Sequence, residues 1–179
     1  MGIKTVNKHF EFNENDIAAG KFDAWDLIQP LWYNVSIYDG LDVYNKDLEG
    51  FTDAQRKIFA LYWYDSEVCN GGHDQFFSNS TGIVWKDVIE GMRMIGDNED
   101  AENFQKAIDL FGGEIPFDRD ERNAILNKLC DADNFDDFEE IDNCYYGGDR
   151  FEKLMNEYVK SHPSEFVVNG DYLYSWYEA

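Results

Sequence analysis

A chain of 179 residues with 44% hydrophobic and 17% aromatic content is long enough for one domain with a substantial core. It is too apolar for a disordered acidic tail. Its outlying quantity is charge, with 37 Asp plus Glu against 15 Lys plus Arg, a formal net of -22. A field of that size repels polyanions, which argues against direct binding to nucleic acid or to an anionic membrane and makes basic proteins and cations the natural partners.

In chain order, residues 1–22 are mixed, with Phe10 and Phe12 as apolar anchors. Asp23 caps a predicted helix bearing Trp25, Leu27, Ile28, Leu31, Trp32 and Val35, where Pro30 predicts a kink or a division into two short helices. Asp39-Gly40 reads as a turn and 44–50 as a loop. Thr52-Asp53-Ala54-Gln55 is a capping box. It opens a helix whose Ile58, Phe59, Leu61, Tyr62 and Val68 recur at helical period.

Asn70-Gly71-Gly72 then interrupts the pattern. Two glycines supply positive φ and close chain approach, at a cost of about 1 kcal/mol each inside a helix. The expectation is a helix ending at Cys69 or Asn70, a glycine cap, and a short helix carrying Gln75, Phe76 and Phe77. Phe76 and Phe77 enter the core, while the amides of Asn70, Gln75 and Asn79 tie down the backbone freed at the break.

Beyond the break, Trp85, Val88, Ile89, Met92 and Ile95 mark a helix stopped by Gly96. Ala101, Phe104, Ala107, Ile108 and Phe111 mark another, stopped by Gly112-Gly113. A helix from Asp118 runs through Ala124, Ile125 and Leu129 to Cys130, and Phe135, Phe138, Ile141 and Tyr145 mark the next, ended by Gly147-Gly148. Phe151, Leu154, Met155, Tyr158 and Val159 give the last, closed by His162-Pro163. The aromatic tail 166–177 reads as a small hairpin around Asn169-Gly170 or as an extension packed on the body. The expected fold is all-α: a single domain over 1–179, a bundle of about seven to nine helices, with either a small C-terminal hairpin or a packed extension at its end.

The stretch Glu67-Val68-x-Asn70-Gly71-Gly72-x-x-Gln75-Phe76-Phe77-x-Asn79, with Gly82 and Ile95-Gly96 after it, resembles the signature of a bacterial family of small acidic proteins. That family was catalogued as a domain of unknown function, and its best-known members are described as DNA mimics. The resemblance covers roughly 51–111. It implies a mostly helical fold in which Glu67, Asn70, Gly71, Gly72, Gln75, Phe76 and Asn79 form the structural motif. Where the family usually carries an aromatic after the two glycines, this chain has His73.

Chemistry concentrates in 131–142, where seven carboxylates (Asp131, Asp133, Asp136, Asp137, Glu139, Glu140 and Asp142) stand without a Lys or Arg. Asp133, Asp136, Asp137 and Glu140 fall at i, i+3, i+4 and i+7, one continuous stripe on a helix, while Phe135, Phe138 and Ile141 anchor another side. Neighbours at this spacing lie about 5–6 Å apart at Cβ, comparable to phosphates along a strand, and each like-charge pair costs a helix about 0.2–0.5 kcal/mol. A solvated face serving solubility is the plainer reading, and mimicry of a polynucleotide backbone the sharper one. Asp97, Glu99, Asp100 and Glu102, and Asp118, Asp120 and Glu121, either extend that surface or complement helix dipoles.

Signals for catalysis are poor. His9, His73 and His162 are scattered, no nucleophile elbow or phosphate loop is present, and a divalent metal held by Glu67, His73 and Asp74 lacks a partner histidine. Cys69 reads as a buried, inert thiol more readily than as a reactive one at the start of the following helix. The three cysteines form no CxxC pair, and no signal peptide or 18-residue apolar run is found, which predicts a cytoplasmic location with reduced thiols. The expected function is therefore an acidic DNA mimic without catalysis, cofactor or metal, binding a basic DNA-binding protein such as a transcription factor. The alternatives are an immunity-type inhibitor of a basic toxin nuclease and, further off, a metal-dependent enzyme. Self-association into a homodimer stays open.

Overall fold

The computed structural model describes residues 3–131, 135–145 and 149–177. Among them run nine α-helices, framed by one strand at each end. Strand β1 (Ile3–Phe12) pairs antiparallel with β2 (Val168–Tyr177), from Ile3 opposite Tyr177 to Phe12 opposite Val168. This corrects the expected C-terminal hairpin: Gly170 lies opposite Phe10, so Asn169-Gly170 sits within a strand and turns nothing. Only the body-proximal end of β1 is buried, through Phe10 and Phe12.

Helix α1 (Glu14–Ala18) starts where the Asn13 side chain accepts the Asp16 N–H. Helix α2 (Ala24–Trp32) opens on a capping box between Asp23 and Asp26 and continues through Pro30. The expected division at Pro30 therefore does not occur; the helix ends two residues later, and the Asn34 amide bonds to the Pro30 carbonyl. Helix α3 (Leu41–Asp47) replaces part of the expected loop, burying Tyr44.

Helix α4 (Asp53–Ser78) is the axis of the molecule, packed against α2, α5 (Trp85–Met94), α7 (Arg119–Asp131) and α8 (Phe135–Cys144). The predicted box operates at its start, with the Thr52 hydroxyl accepting the Gln55 N–H and the Gln55 side chain accepting the Thr52 N–H. A 3₁₀ turn (Ser80–Val84) links α4 to α5, and α6 (Asn98–Leu110) follows the Gly96 stop at φ +80°. Helix α9 (Asp149–Ser161) and a second 3₁₀ turn (Pro163–Phe166) lead into β2.

The core is aromatic around Tyr64, whose ring meets those of Phe76, Phe104 and Tyr145 edge-on with centroids 5.0–5.3 Å apart. Phe76 and Phe77 are fully buried as expected, each worth about 1.5–3 kcal/mol of apolar transfer. Among the described residues no helix is long and apolar enough to cross a membrane.

Candidate functional site

The glycine break falls where the sequence places it. Helix α4 leaves helical geometry at Gly71 (φ −159°, ψ 26°) and Gly72 (φ 74°, ψ −176°) and resumes through Gln75, Phe76 and Phe77. Only Gly72 needs the positive φ that glycine tolerates. At Gly71 the demand is space, since a Cβ there would overlap the Gln75 side chain.

What bridges the break differs from expectation. The amides of Gln75 and Asn79 do not bond the freed backbone; they donate to one carboxylate, Glu67, at 2.6 and 3.0 Å. The Thr81 hydroxyl adds a third bond at 3.2 Å. A carboxylate taking three neutral donors fixes the first half of α4 to the second half and to the 3₁₀ turn. Asn70 is exposed and makes no side-chain hydrogen bond among the described residues. On the far side the buried Arg122 guanidinium donates to the Phe77 and Asn79 carbonyls at 2.5 and 2.7 Å, satisfying backbone groups at the end of the helix.

His73 takes the place of an aromatic in the core. Its ring is fully buried among Tyr64, Phe77, Phe104 and Tyr145. Both ring nitrogens are engaged, Nδ1 with Asp142 Oδ1 at 2.5 Å and Nε2 with the Tyr64 hydroxyl at 2.8 Å. The His73 backbone N–H donates to the same Asp142 oxygen at 2.8 Å. The tautomer that satisfies all three groups carries its proton on Nδ1 and accepts the Tyr64 proton at Nε2. Burial acts to raise the Asp142 carboxyl, and the two His73 bonds outweigh it, holding that group below the ordinary range.

These contacts fasten the acidic helix. Asp142 ties α8 to the glycine break, the Asn103 amide of α6 donates to the Ile141 carbonyl at 2.8 Å, and the Tyr145 hydroxyl donates to Asp65 of α4 at 2.7 Å. Phe138 and Ile141 supply the apolar anchors that the spacing predicts. Of the seven carboxylates in 131–142, Glu139 and Glu140 are exposed on α8, whereas Asp142 is half-buried and engaged with His73. Asp136 and Asp137 lie in the first turn of α8 and Asp131 closes α7. Asp133 lies outside the described residues.

The other acidic groups divide. Asp118 caps α7 through the Glu121 N–H, with Asp120 and Glu121 exposed in the first turn. Asp97 caps α6 by accepting the Asp100 N–H and Asp100 lies in the first turn, as the capping reading has it, but both are buried and neither extends the surface. Arg150 at the start of α9 reaches Asp97 at 2.6 Å, Asp100 at 3.5 Å and the exposed Glu99 at 3.6 Å. Burial first, then the adjoining Asp97 carboxylate, pushes Asp100 up to about 7. A second polar knot, also unread in the sequence, joins Arg56 and Tyr44 to the buried Asp87 at 2.7 and 2.8 Å.

Glu67 and both nitrogens of His73 are committed to the bonds above, and no group of three or more metal-ligating side chains occurs among the described residues. Cys69 is exposed rather than buried, but desolvation of its sulfur and the neighbouring Asp65 carboxylate raise the thiol to about 11. It is protonated and a poor nucleophile near neutral pH.

The fold and site thus define a strongly acidic helical domain built around an interrupted central helix. The chain belongs to the DMP19-like protein family, whose model matches residues 49–162. That match corrects the resemblance drawn from the signature: the family shown is DMP19-like protein, not a DNA-mimic family defined by the Glu67-to-Asn79 pattern, and it spans α4 to α9 rather than 51–111. No curated protein matches the chain.

Proposed function

We propose that this protein acts by binding, without turnover, as an acidic decoy that occupies the DNA-binding surface of a basic protein such as a transcription factor in the cytoplasm. The observation that carries the reading is the lopsided charge of the helices after α5. Residues 97–165 hold 20 of the 37 acidic residues and 7 of the 15 basic ones. Exposed carboxylates recur there on successive helices, among them Glu99 and Glu102 of α6, Glu121 of α7, Glu139 and Glu140 of α8, and Glu152 and Glu157 of α9. Helix α8 is fastened to α4 and α6 at three points, so its carboxylates are presented from a supported backbone. Fixed carboxylates release the same counterions from a basic groove that DNA phosphates release.

The test is capture of a partner from host lysate at low and at high salt, followed by displacement with that partner's own DNA site. Neutralising Asp133, Asp136, Asp137 and Glu140 to Asn or Gln should weaken capture at least tenfold at low salt, with the far-UV CD spectrum unchanged. Equal capture by the neutralised variant removes α8 from the reading. A captured nuclease, inhibited when bound, would replace the transcription factor with a toxin.

A further inference from the structure

Between α3 and α7 the surface opens into a cleft of about 460 Å³, within the ~300–1,000 Å³ range of small-molecule sites. One wall is the turn before α3 and the helix's first residues, from Ile37 to Asp42. Ser80 and Ile83 of the 3₁₀ turn and Phe117, Asp118, Arg119 and Arg122 complete it. No sequence signal marks this place.

Its charges are unusual in two respects. Arg122, fully buried, pairs with no carboxylate among the described residues; its bonds go to the carbonyls of Phe77, Asn79, Pro116 and Phe117. Burial accordingly depresses its guanidinium to about 10, with the neighbouring Arg119 adding to the effect and Asp118 opposing it. A buried cation at the edge of a cavity, satisfied by dipoles and with its neighbouring carboxylate, Asp118, committed to the α7 cap, favours an incoming anion. The facing wall is opposite in sign. Asp39 and Asp42 are exposed there; Asp39 accepts only the Ser36 hydroxyl, and Asp42 has no polar partner among the described residues.

A bare anion meets Asp39, Asp42, Asp118 and the field of a chain at -22; a bare cation meets Arg119 and Arg122. A ligand carrying both charges avoids each penalty. Ile37, Leu41, Ile83 and Phe117 provide apolar wall between the charged sides, and the Tyr38 ring, 71% exposed, stands at the rim with surface left to cover. We propose that this cleft binds a small zwitterion of the α-amino-acid type, its carboxylate toward Arg122 and Arg119 and its ammonium toward Asp39 and Asp42.

The site is separate from α8, and its test needs no protein partner, so it stands or falls independently of the decoy function. Three matched probes decide it by NMR titration of the whole protein at constant ionic strength: leucine, leucinamide (cation only) and N-acetylleucine (anion only). Leucine should give saturable shifts at Tyr38, Ser80 and Phe117, with both single-charge analogues at least tenfold weaker. Asp42→Asn should weaken leucine at least threefold while N-acetylleucine, relieved of a repulsion, binds no more weakly than before. Arg119→Gln, chosen because loss of Arg122 threatens the fold, should weaken leucine while leucinamide, relieved of a repulsion, binds no more weakly than before. Either analogue matching leucine, or no saturable shift with any probe up to tens of millimolar, overturns the proposal.

Discussion

Replacing Gly72 by alanine probes the junction between the central helix and α8. Gly72 has φ 74° and ψ −176°, a region essentially confined to glycine, where another residue costs about 1–3 kcal/mol. The added Cβ would also overlap Asp142 Oδ2, driving the carboxylate off His73. Two charge-assisted bonds go with it, each worth about 1.5–3 kcal/mol. Partial relaxation leaves a net loss of about 3–6 kcal/mol, a large share of the ~5–15 kcal/mol typical of a domain. Urea unfolding followed by tryptophan fluorescence measures it. Gly113→Ala is the control, because Gly113 shares positive φ (90°) but a Cβ there meets nothing within 4 Å. In the cycle with Asp142→Ala, the two losses should overlap by at least about 1 kcal/mol. If Gly72→Ala costs no more than Gly113→Ala, or the Gly72 and Asp142 losses simply add, the proposed coupling at the break is wrong.

Glu67→Gln keeps the shape of the bridging group but turns an acceptor-only carboxylate into a mixed amide facing three donors; thermal unfolding should report a loss of about 1–3 kcal/mol, and an unchanged midpoint would mean the bridge contributes nothing. Asp100 gives a pH signature of unusual sign. Its folded-state value lies above its unfolded one, so its contribution is complete at low pH and is lost as pH climbs from the ordinary carboxyl range through about 7. Asp100→Asn should flatten the fall in stability between about pH 4 and 7 seen in urea titrations, and an identical slope in the two proteins would refute the assignment.

What the sequence makes legible is local. The Thr52–Gln55 box, the stop at Gly96, the interruption at Gly71-Gly72 and the anchoring of α8 by Phe138 and Ile141 each depend on residues within one or two helical turns. What it hides is pairing at a distance. Asp97 and Asp100 are legible as a cap and a first-turn acid, but not as buried, because the arginine that makes their burial tolerable, Arg150, comes about fifty residues later. Asp142 reads as one more surface charge until His73, 69 residues earlier, is folded against it. The strand at the start carries no turn signal, since its partner is at the other end of the chain. The candidate site was legible as composition, and its inward-facing members were not.

The terminal ribbon imposes an order of events on synthesis. Thr5 and Ser175 share a hydrogen bond across 170 residues of chain, so β1 leaves the ribosome long before anything exists for it to pair with. Until then it is a lone edge, open to copies of itself on neighbouring nascent chains. Lys4 and Lys8 sit on that strand, and like charges brought together by strand-to-strand stacking repel, a built-in guard for the wait.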